Sequence, residues 1–306
     1  MKRYIIYIML SLVFISFLVY SKSNKHLIKF KDNALNSNNI EIEASYGFYM
    51  NKLGYNGKEI EVDVTLDNGI KDCELGIIIF VNGIPQPYYT NDYRDTKYII
   101  PYSINKFTKK NIKIAFTPIT GNIGETLTIL FGCMLNPSIE ATENMKTFGN
   151  NHKLLFLEPY FIESKYNYGE VKILKCNNFI NLPYQEDNDT YKCIVTIDNN
   201  EVDRIDIGNK LRLNIELSGK EGNYIILAYI NHSLVPIING KSYYTLVSLK
   251  NNQKTIFKID YEAINLKLNK YNHMYFIMIP LDKDNIMHSD PLFKTNTIIL
   301  NYIGSE

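Results

Sequence analysis

Ile60-Glu61-Val62-Asp63-Val64-Thr65-Leu66 and Leu211-Arg212-Leu213-Asn214-Ile215-Glu216-Leu217 alternate apolar and polar residues without a break. Successive side chains of a β-strand point to opposite faces, so each stretch reads as a strand with one face in a core and one in water. Each sits just after a glycine, Gly57 or Gly208, and each is followed by a second apolar run, residues 75–81 or 224–230. Then come Val81-Asn82 or Ile230-Asn231, and a proline, Pro85 or Pro236.

The parallel extends further. Tyr88-Tyr89-Thr90 matches Tyr243-Tyr244-Thr245, and the second copy carries extra residues around Asn239-Gly240, a hairpin signal. Residues 112–116, ending near Pro118, match residues 274–279, ending at Pro280, and each copy closes on a Thr-rich strand, 126–131 or 295–300. A repeat this long is a domain rather than a solenoid unit. The expected fold is therefore all-β, with two tandem antiparallel β-sandwich domains of immunoglobulin-like kind. Residues 40–138 are the first domain, 139–168 a connector with a possible short helix, and 169–306 the second, with extra strands near 171–174 and 191–197.

The head of the chain differs from everything after it. Lys2 and Arg3 precede an uncharged apolar run, residues 4–20, bounded by Tyr4 and Tyr20. It is at the short limit for a membrane-spanning helix and the long limit for a signal-peptide core, so residues 1–21 read as a transmembrane anchor or signal segment. Residues 22–39, rich in Lys, Asn and Ser, read as a polar tether. The remainder is then placed on the extracytoplasmic side, membrane-anchored, or secreted if the segment is cleaved. Lys22, Lys25, Lys29 and Lys31 beyond the run blur the charge bias that sets orientation.

Composition removes some partners. The formal net charge is +1 and no long basic run occurs, which argues against nucleic acid. Abundant Ile, Asn, Lys and Tyr with no Trp is the bias of AT-rich codons and suggests a bacterial source. Of four cysteines, Cys73 and Cys133 share strand parity with core residues, and Cys193 with Val195 and Ile197. Bridges among Cys73, Cys133, Cys176 and Cys193 and buried free thiols both remain open, since sequence cannot choose among connectivities. A Cys73–Cys133 bridge would join two sheets and stabilise by about 4 kcal/mol.

Catalytic signatures are missing. Cys133 follows an apolar run in Thr126-Leu127-Thr128-Ile129-Leu130-Phe131-Gly132, without the basic neighbour a thiolate needs and without the Thr-Leu-x-Thr-Cys spacing of sortases. His26, His152, His232, His273 and His288 include no pair at zinc-ligand spacing. Gly-x-Ser-x-Gly, phosphate-loop and dinucleotide glycine patterns do not occur. Glu186, Asp187 and Asp189, then Asp198, Glu201 and Asp203, then Asp282 and Asp284, lie between strands and read as solvated turns. They lack the calcium-loop pattern, and a pair across a cleft would be invisible in sequence. No cofactor is expected.

What remains is aromatic. Tyr88, Tyr89, Tyr93 and Arg94, with Tyr243 and Tyr244 in the second copy, are the binding-surface candidates. Tyrosine is rigid and amphipathic, well suited to sugar rings or protein partners, although it also fills strand faces. The expectation is a membrane-tethered, non-enzymatic extracytoplasmic protein that binds an as yet unnamed protein or glycan at the bacterial cell surface. The alternatives are an accessory subunit of a membrane transport or secretion complex, and an exported carboxylate-dependent hydrolase.

Overall fold

The structure is a computed structural model that describes residues 32–35, 41–44, 46–69, 71–140, 154–156, 159–175, 179–183, 192–198, 200–207, 210–236, 242–262, 271–282, 293–295 and 297–302. Residues 4–20, the expected connector helix, Cys176 and the Glu186, Asp187 and Asp189 cluster lie outside the described residues. Among those described, no helix is long and apolar enough to cross a membrane.

The fold is all-β and sandwich-like. Strands β1 (Asp32–Leu35) and β2 (Glu41–Ala44) pair with each other. The N-terminal half supplies β3 (Tyr46–Tyr55), β4 (Ile60–Asn68), β5 (Cys73–Val81), β6 (Ile84–Pro85), β7 (Tyr89–Thr90), β8 (Ile100–Ile104), β9 (Thr108–Phe116), β10 (Thr126–Leu135), β11 (Leu154–Phe156) and β12 (Tyr160–Glu163). The C-terminal half supplies β13 (Leu174–Lys175), β14 (Phe179–Pro183), β15 (Lys192–Ile197), β16 (Asn200–Glu201), β17 (Arg204–Ile207), β18 (Lys210–Ser218), β19 (Gly222–Ile230), β20 (Ser233–Val235), β21 (Thr245–Leu249), β22 (Gln253–Glu262), β23 (Tyr271–Pro280), β24 (Phe293–Lys294) and β25 (Ile298–Tyr302).

Each half has an outer and an inner sheet. The outer sheets run β3-β4-β9-β7 and β14-β22-β18-β15-β16. The inner sheets are built on β5 beside β10, with β6, β8, β11 and β12 added, and on β19 beside β23, with β13, β17, β20, β21, β24 and β25 added. The quoted alternation works as read: Val62, Val64 and Leu66 are buried against β5 and β10, while Leu213, Ile215 and Leu217 are buried against β19 and β23.

Inner strands carry apolar residues on both faces. Ile77, Ile79 and Val81 of β5 face the N-terminal core, but Ile78 and Phe80 face the other way, onto Ile225, Leu227 and Tyr229 of β19. Leu130 and Met134 of β10 join this third cluster, as do Tyr275, Ile277 and Ile279 of β23. Four sheets are thus stacked with an apolar seam between the two inner ones. Each side chain fully buried there contributes about 1.5–3 kcal/mol, so the halves are welded rather than strung on a linker.

Pairing corrects the end of the sequence repeat. The 274–279 stretch belongs to β23, which lies beside β19 as β10 lies beside β5, so its counterpart is the Thr126 strand and not the strand ending at Phe116. The strand ending at Phe116, β9, pairs with β4 as β22 pairs with β18. Likewise Thr245 stands opposite Ile226 as Ile100 stands opposite Ile77. Tyr243 and Tyr244 therefore occupy the place of Tyr98 and Ile99, not that of Tyr88 and Tyr89. Within the stretch read as connector, Leu154–Phe156 and Tyr160–Glu163 are β11 and β12, on the edge of the first inner sheet. Tyr55 and Tyr168, whose hydroxyls are 2.9 Å apart, pin the following residues to the same half, and Tyr168 donates to the Lys58 carbonyl at 2.8 Å.

Of the two readings left open for the cysteines, an inter-sheet bridge between Cys73 and Cys133 is the one the structure does not contain. Cys73 and Cys133 do point into one core, but from neighbouring strands of the same sheet, with Cys133 opposite Ile77. That register separates them by about 13 Å along the strands, beyond disulfide reach. Cys73, Cys133 and Cys193 are free and buried, and burial pushes the Cys73 thiol up to about 12 and the other two higher.

Candidate functional site

Of the tyrosines singled out by sequence, Tyr88 is a core strut. It is fully buried, donates to the Ile77 carbonyl at 2.7 Å and accepts from the Ile100 amide at 3.0 Å. Its place in the expected binding surface is corrected: the β6–β7 segment turns its ring inward to tie β5 to β8. Tyr89 is half-buried and donates to Glu59 Oε1 at 2.8 Å. Tyr93 is exposed and meets Tyr102 edge-on at 5.8 Å, and Arg94 is exposed next to it.

Tyr243 and Tyr244 lie elsewhere, at one end of the seam between the halves. Tyr243 is 46% exposed, with its ring 6.4 Å from that of half-buried Tyr244. Tyr98, 41% exposed, reaches the same place from the N-terminal half. Burial pushes the Tyr244 hydroxyl up to about 12, with Tyr98 and Tyr243 adding to the shift. Burial holds Tyr229 well above the ordinary phenol range, and Tyr275, Tyr244 and Tyr98 reinforce it. Sequence counts Tyr98 among the aromatics of residues 84–102 without singling it out, because only pairing reveals that it and Tyr243 hold equivalent positions.

Behind the exposed rings lies a buried aromatic and imidazole cluster. Tyr229 and Tyr275, cross-strand partners on β19 and β23, stack at 5.2 Å with 6° between their planes. His232 Nδ1 is 3.1 Å from the Tyr275 hydroxyl, and the His232 ring centre lies 4.5 Å from that of His273. Asn231 Nδ2 donates to Asn272 Oδ1 at 2.7 Å, while Asn231 Oδ1 accepts from the His273 amide at 3.1 Å, fixing the turn against β23. The Tyr229 hydroxyl is buried with no hydrogen-bond partner among the described residues.

The turn itself is strained. Asn231 and His232 have φ of 48° and 63°, the pattern of a type I′ hairpin, for which Asn-Gly is preferred. The N-terminal half follows that preference with Asn82 and Gly83. Histidine in the left-handed region costs about 1–3 kcal/mol, offset here by its contacts with Tyr275 and His273. The two histidines are far apart in sequence and meet because β19 and β23 are neighbours, which spacing rules do not detect.

No group of three or more metal-ligating side chains occurs among the described residues. Asp198, Glu201 and Asp203 are exposed, Asp198 with φ of 50° in a turn, and Asp282 accepts from the Asn223 amide at 2.6 Å. The arrangement at the seam can stack flat or apolar ligand faces on Tyr98 and Tyr243 and offer imidazole and phenol hydrogen bonds nearby.

No protein-family model and no curated protein sequence matches the chain. Among solved structures it is similar to red sea bream transglutaminase, at 7% identity and a TM-score of 0.22, covering 86% of this chain and 31% of that one. It thus spans about a third of the transglutaminase chain. A protein of unknown function from Porphyromonas gingivalis W83 is similar at 9% identity and a TM-score of 0.23, covering 79% of this chain and 91% of the other. The CsuC–CsuE chaperone–tip adhesion subunit pre-assembly complex from the archaic chaperone-usher Csu pili of Acinetobacter baumannii follows at 12% identity and a TM-score of 0.19, covering 79% and 92%. Likeness of this degree carries no argument about function.

Proposed function

We propose that this chain is a non-enzymatic binding protein of two immunoglobulin-like β-sandwich domains. Residues 4–20 carry it to the extracytoplasmic side of a bacterial membrane, and it takes a protein or glycan at the cell surface. Equivalent pairing of β4, β5, β9 and β10 with β18, β19, β22 and β23 supports a duplicated domain. The observation that carries the binding reading is the seam: exposed Tyr98 and Tyr243, one from each half, rest on a cluster of rings held by packing and hydrogen bonds. Rigid aromatic contacts lose little entropy on binding, which is what a contact surface needs.

The full chain displayed on bacterial cells, and the same chain purified in detergent, should bind cell-wall glycan fragments or surface protein. Replacing Tyr98 and Tyr243 together by Ala should weaken that binding at least tenfold while leaving the far-UV spectrum unchanged. Unchanged affinity would remove the seam from the contact. Turnover of wall substrates, lost on mutating one carboxylate, would overturn the non-enzymatic reading. Protease added to wall-stripped cells should digest the β-rich part, and protection would overturn the placement outside.

A further inference from the structure

The hairpin between β8 and β9 closes on a residue that folding does not ask for. Phe107 stands at its tip with φ of 57° and is 75% exposed, the most exposed large apolar side chain among the described residues. The other described non-glycine residues with positive φ are Asn, Asp and His, types that tolerate the left-handed region, whereas a bulky ring there is a backbone outlier. The matched hairpin of the C-terminal half, between β21 and β22, puts Asn252 at the equivalent position with φ of 59°. In both turns the following amide donates to the carbonyl three residues back, Thr108 to Asn105 at 3.3 Å and Gln253 to Lys250 at 3.2 Å. The N-terminal turn is also held from outside: the Lys106 amide donates to Asp72 Oδ1 at 2.7 Å, and Asn68 Nδ2 donates to the Ile104 carbonyl at 2.9 Å. A fixed turn thus holds a phenyl ring in water at a cost in strain that its counterpart avoids.

We propose that Phe107 is a membrane-interface anchor whose partner is a phospholipid surface; this rests on the membrane placement proposed for residues 4–20. Two observations choose lipid over protein. The ring offers about 150–250 Å², far short of the roughly 1,000 Å² that a specific protein interface requires, whereas a bilayer takes up a single aromatic ring at its interface without a matched surface. The tip also shares one end of the N-terminal half with the start of β3: Tyr46 pairs with Asn68, and Asn68 with Thr108. The chain that leads from residues 4–20 therefore enters the fold beside Phe107. Ile139, 36% exposed in the turn after β10, lies at the same end, where the Asn136 amide donates to the Glu74 carbonyl. Because the anchor belongs to the same chain, the second contact is intramolecular, and one inserted ring is enough to hold this end down. Lys71, Lys106 and Lys109 lie near the tip but stand beside Asp67, Asp72 and Glu74, with Lys109 2.6 Å from Asp67. The attraction is therefore that of the ring rather than of net charge, and it should survive salt.

The chain contains no Trp, so one introduced indole reports its own surroundings. The full chain carrying Phe107→Trp, reconstituted into phosphatidylglycerol–phosphatidylethanolamine vesicles, should emit at shorter wavelength than the chain carrying Ile123→Trp, whose site is 62% exposed in the turn before β10, at the other end of the strands. Bromine near the headgroup end of the lipid acyl chains should remove at least half of the emission at position 107 and little at position 123, and high salt should not restore it. Phe107→Asn, which copies the turn at Asn252, should leave the thermal midpoint in detergent no lower than that of the parent. Added to Ile139→Trp, it should lessen bromine quenching at position 139 at least twofold. Equal quenching at positions 107 and 123, or a lower midpoint for Phe107→Asn, would overturn the proposal. So would an indole at position 107 that stays in water on vesicles that carry the chain through flotation, a result that leaves the membrane placement of residues 4–20 standing; a chain that does not float with vesicles overturns both. A blue shift without bromine quenching would mean that protein covers the tip, and overturns the lipid contact as well.

Discussion

The two halves put equivalent strands in equivalent places and then diverge at one end of the seam. The N-terminal half has Phe80 opposite Leu130, followed by Gly83 in the turn. The C-terminal half has Tyr229 opposite Tyr275, followed by His232, with His273 at its side. Packing does not demand the second set, because the first fills the same position with no orphaned hydroxyl and no left-handed histidine. The polar set costs about 1–3 kcal/mol for the hydroxyl and a similar amount for the turn. The strain is retained at only one of the two matched sites, and that site lies behind the exposed tyrosines.

The comparison is broken most forcefully from the apolar end. Phe80→Ala should cost about 3–5 kcal/mol, because the ring is fully buried between the inner sheets and the gap cannot be refilled from either side. Denaturant unfolding should still show one transition, since the seam joins the halves; two separated transitions in the parent chain would show that each half stands alone.

Exchanging the turn residues gives the next largest effect. Gly83 has φ of 79°, and a Cβ there would lie 2.9 Å from Ile225 Cδ1 and 3.1 Å from Leu281 Cδ2. Gly83→His should therefore destabilise by about 2–3 kcal/mol through backbone strain and crowding combined. His232→Gly removes strain and contacts together, so its thermal midpoint should move little while binding at the seam weakens. Equal losses from both exchanges would erase the distinction between the two turns.

Much of this was legible in the sequence, and the rest failed for physical reasons. The period-two alternation of β4 and β18 marks strands with one wet face, and it located both outer sheets. The inner strands carry another signal: Ile77-Ile78-Ile79-Phe80-Val81 and Tyr224-Ile225-Ile226-Leu227-Ala228-Tyr229-Ile230 do not alternate, because both of their faces are covered. Taken seriously, those continuous runs predict the stacking of the halves. Order of landmarks misassigned the later strands, because Pro280 closes β23 opposite Tyr224 while Pro118 lies beyond β9. The site was the least visible part. Tyr98, Tyr229, His232, Tyr243 and His273 come from four separated segments, and only strand register brings them to one end.

The smallest effect separates two chemically identical substitutions. Tyr275→Phe removes the hydroxyl that meets His232 Nδ1 at 3.1 Å and should cost about 1 kcal/mol. Tyr229→Phe removes, from the ring stacked on it, a buried hydroxyl that has no partner among the described residues, and should stabilise by about 1 kcal/mol. Opposite shifts of the denaturant midpoint at constant slope would show that the polar end carries an unrequited cost. If Tyr229→Phe also weakens binding at the seam, the hydroxyl is kept for the ligand. If it destabilises, the hydroxyl serves the fold, and the difference between the halves is one of packing after all.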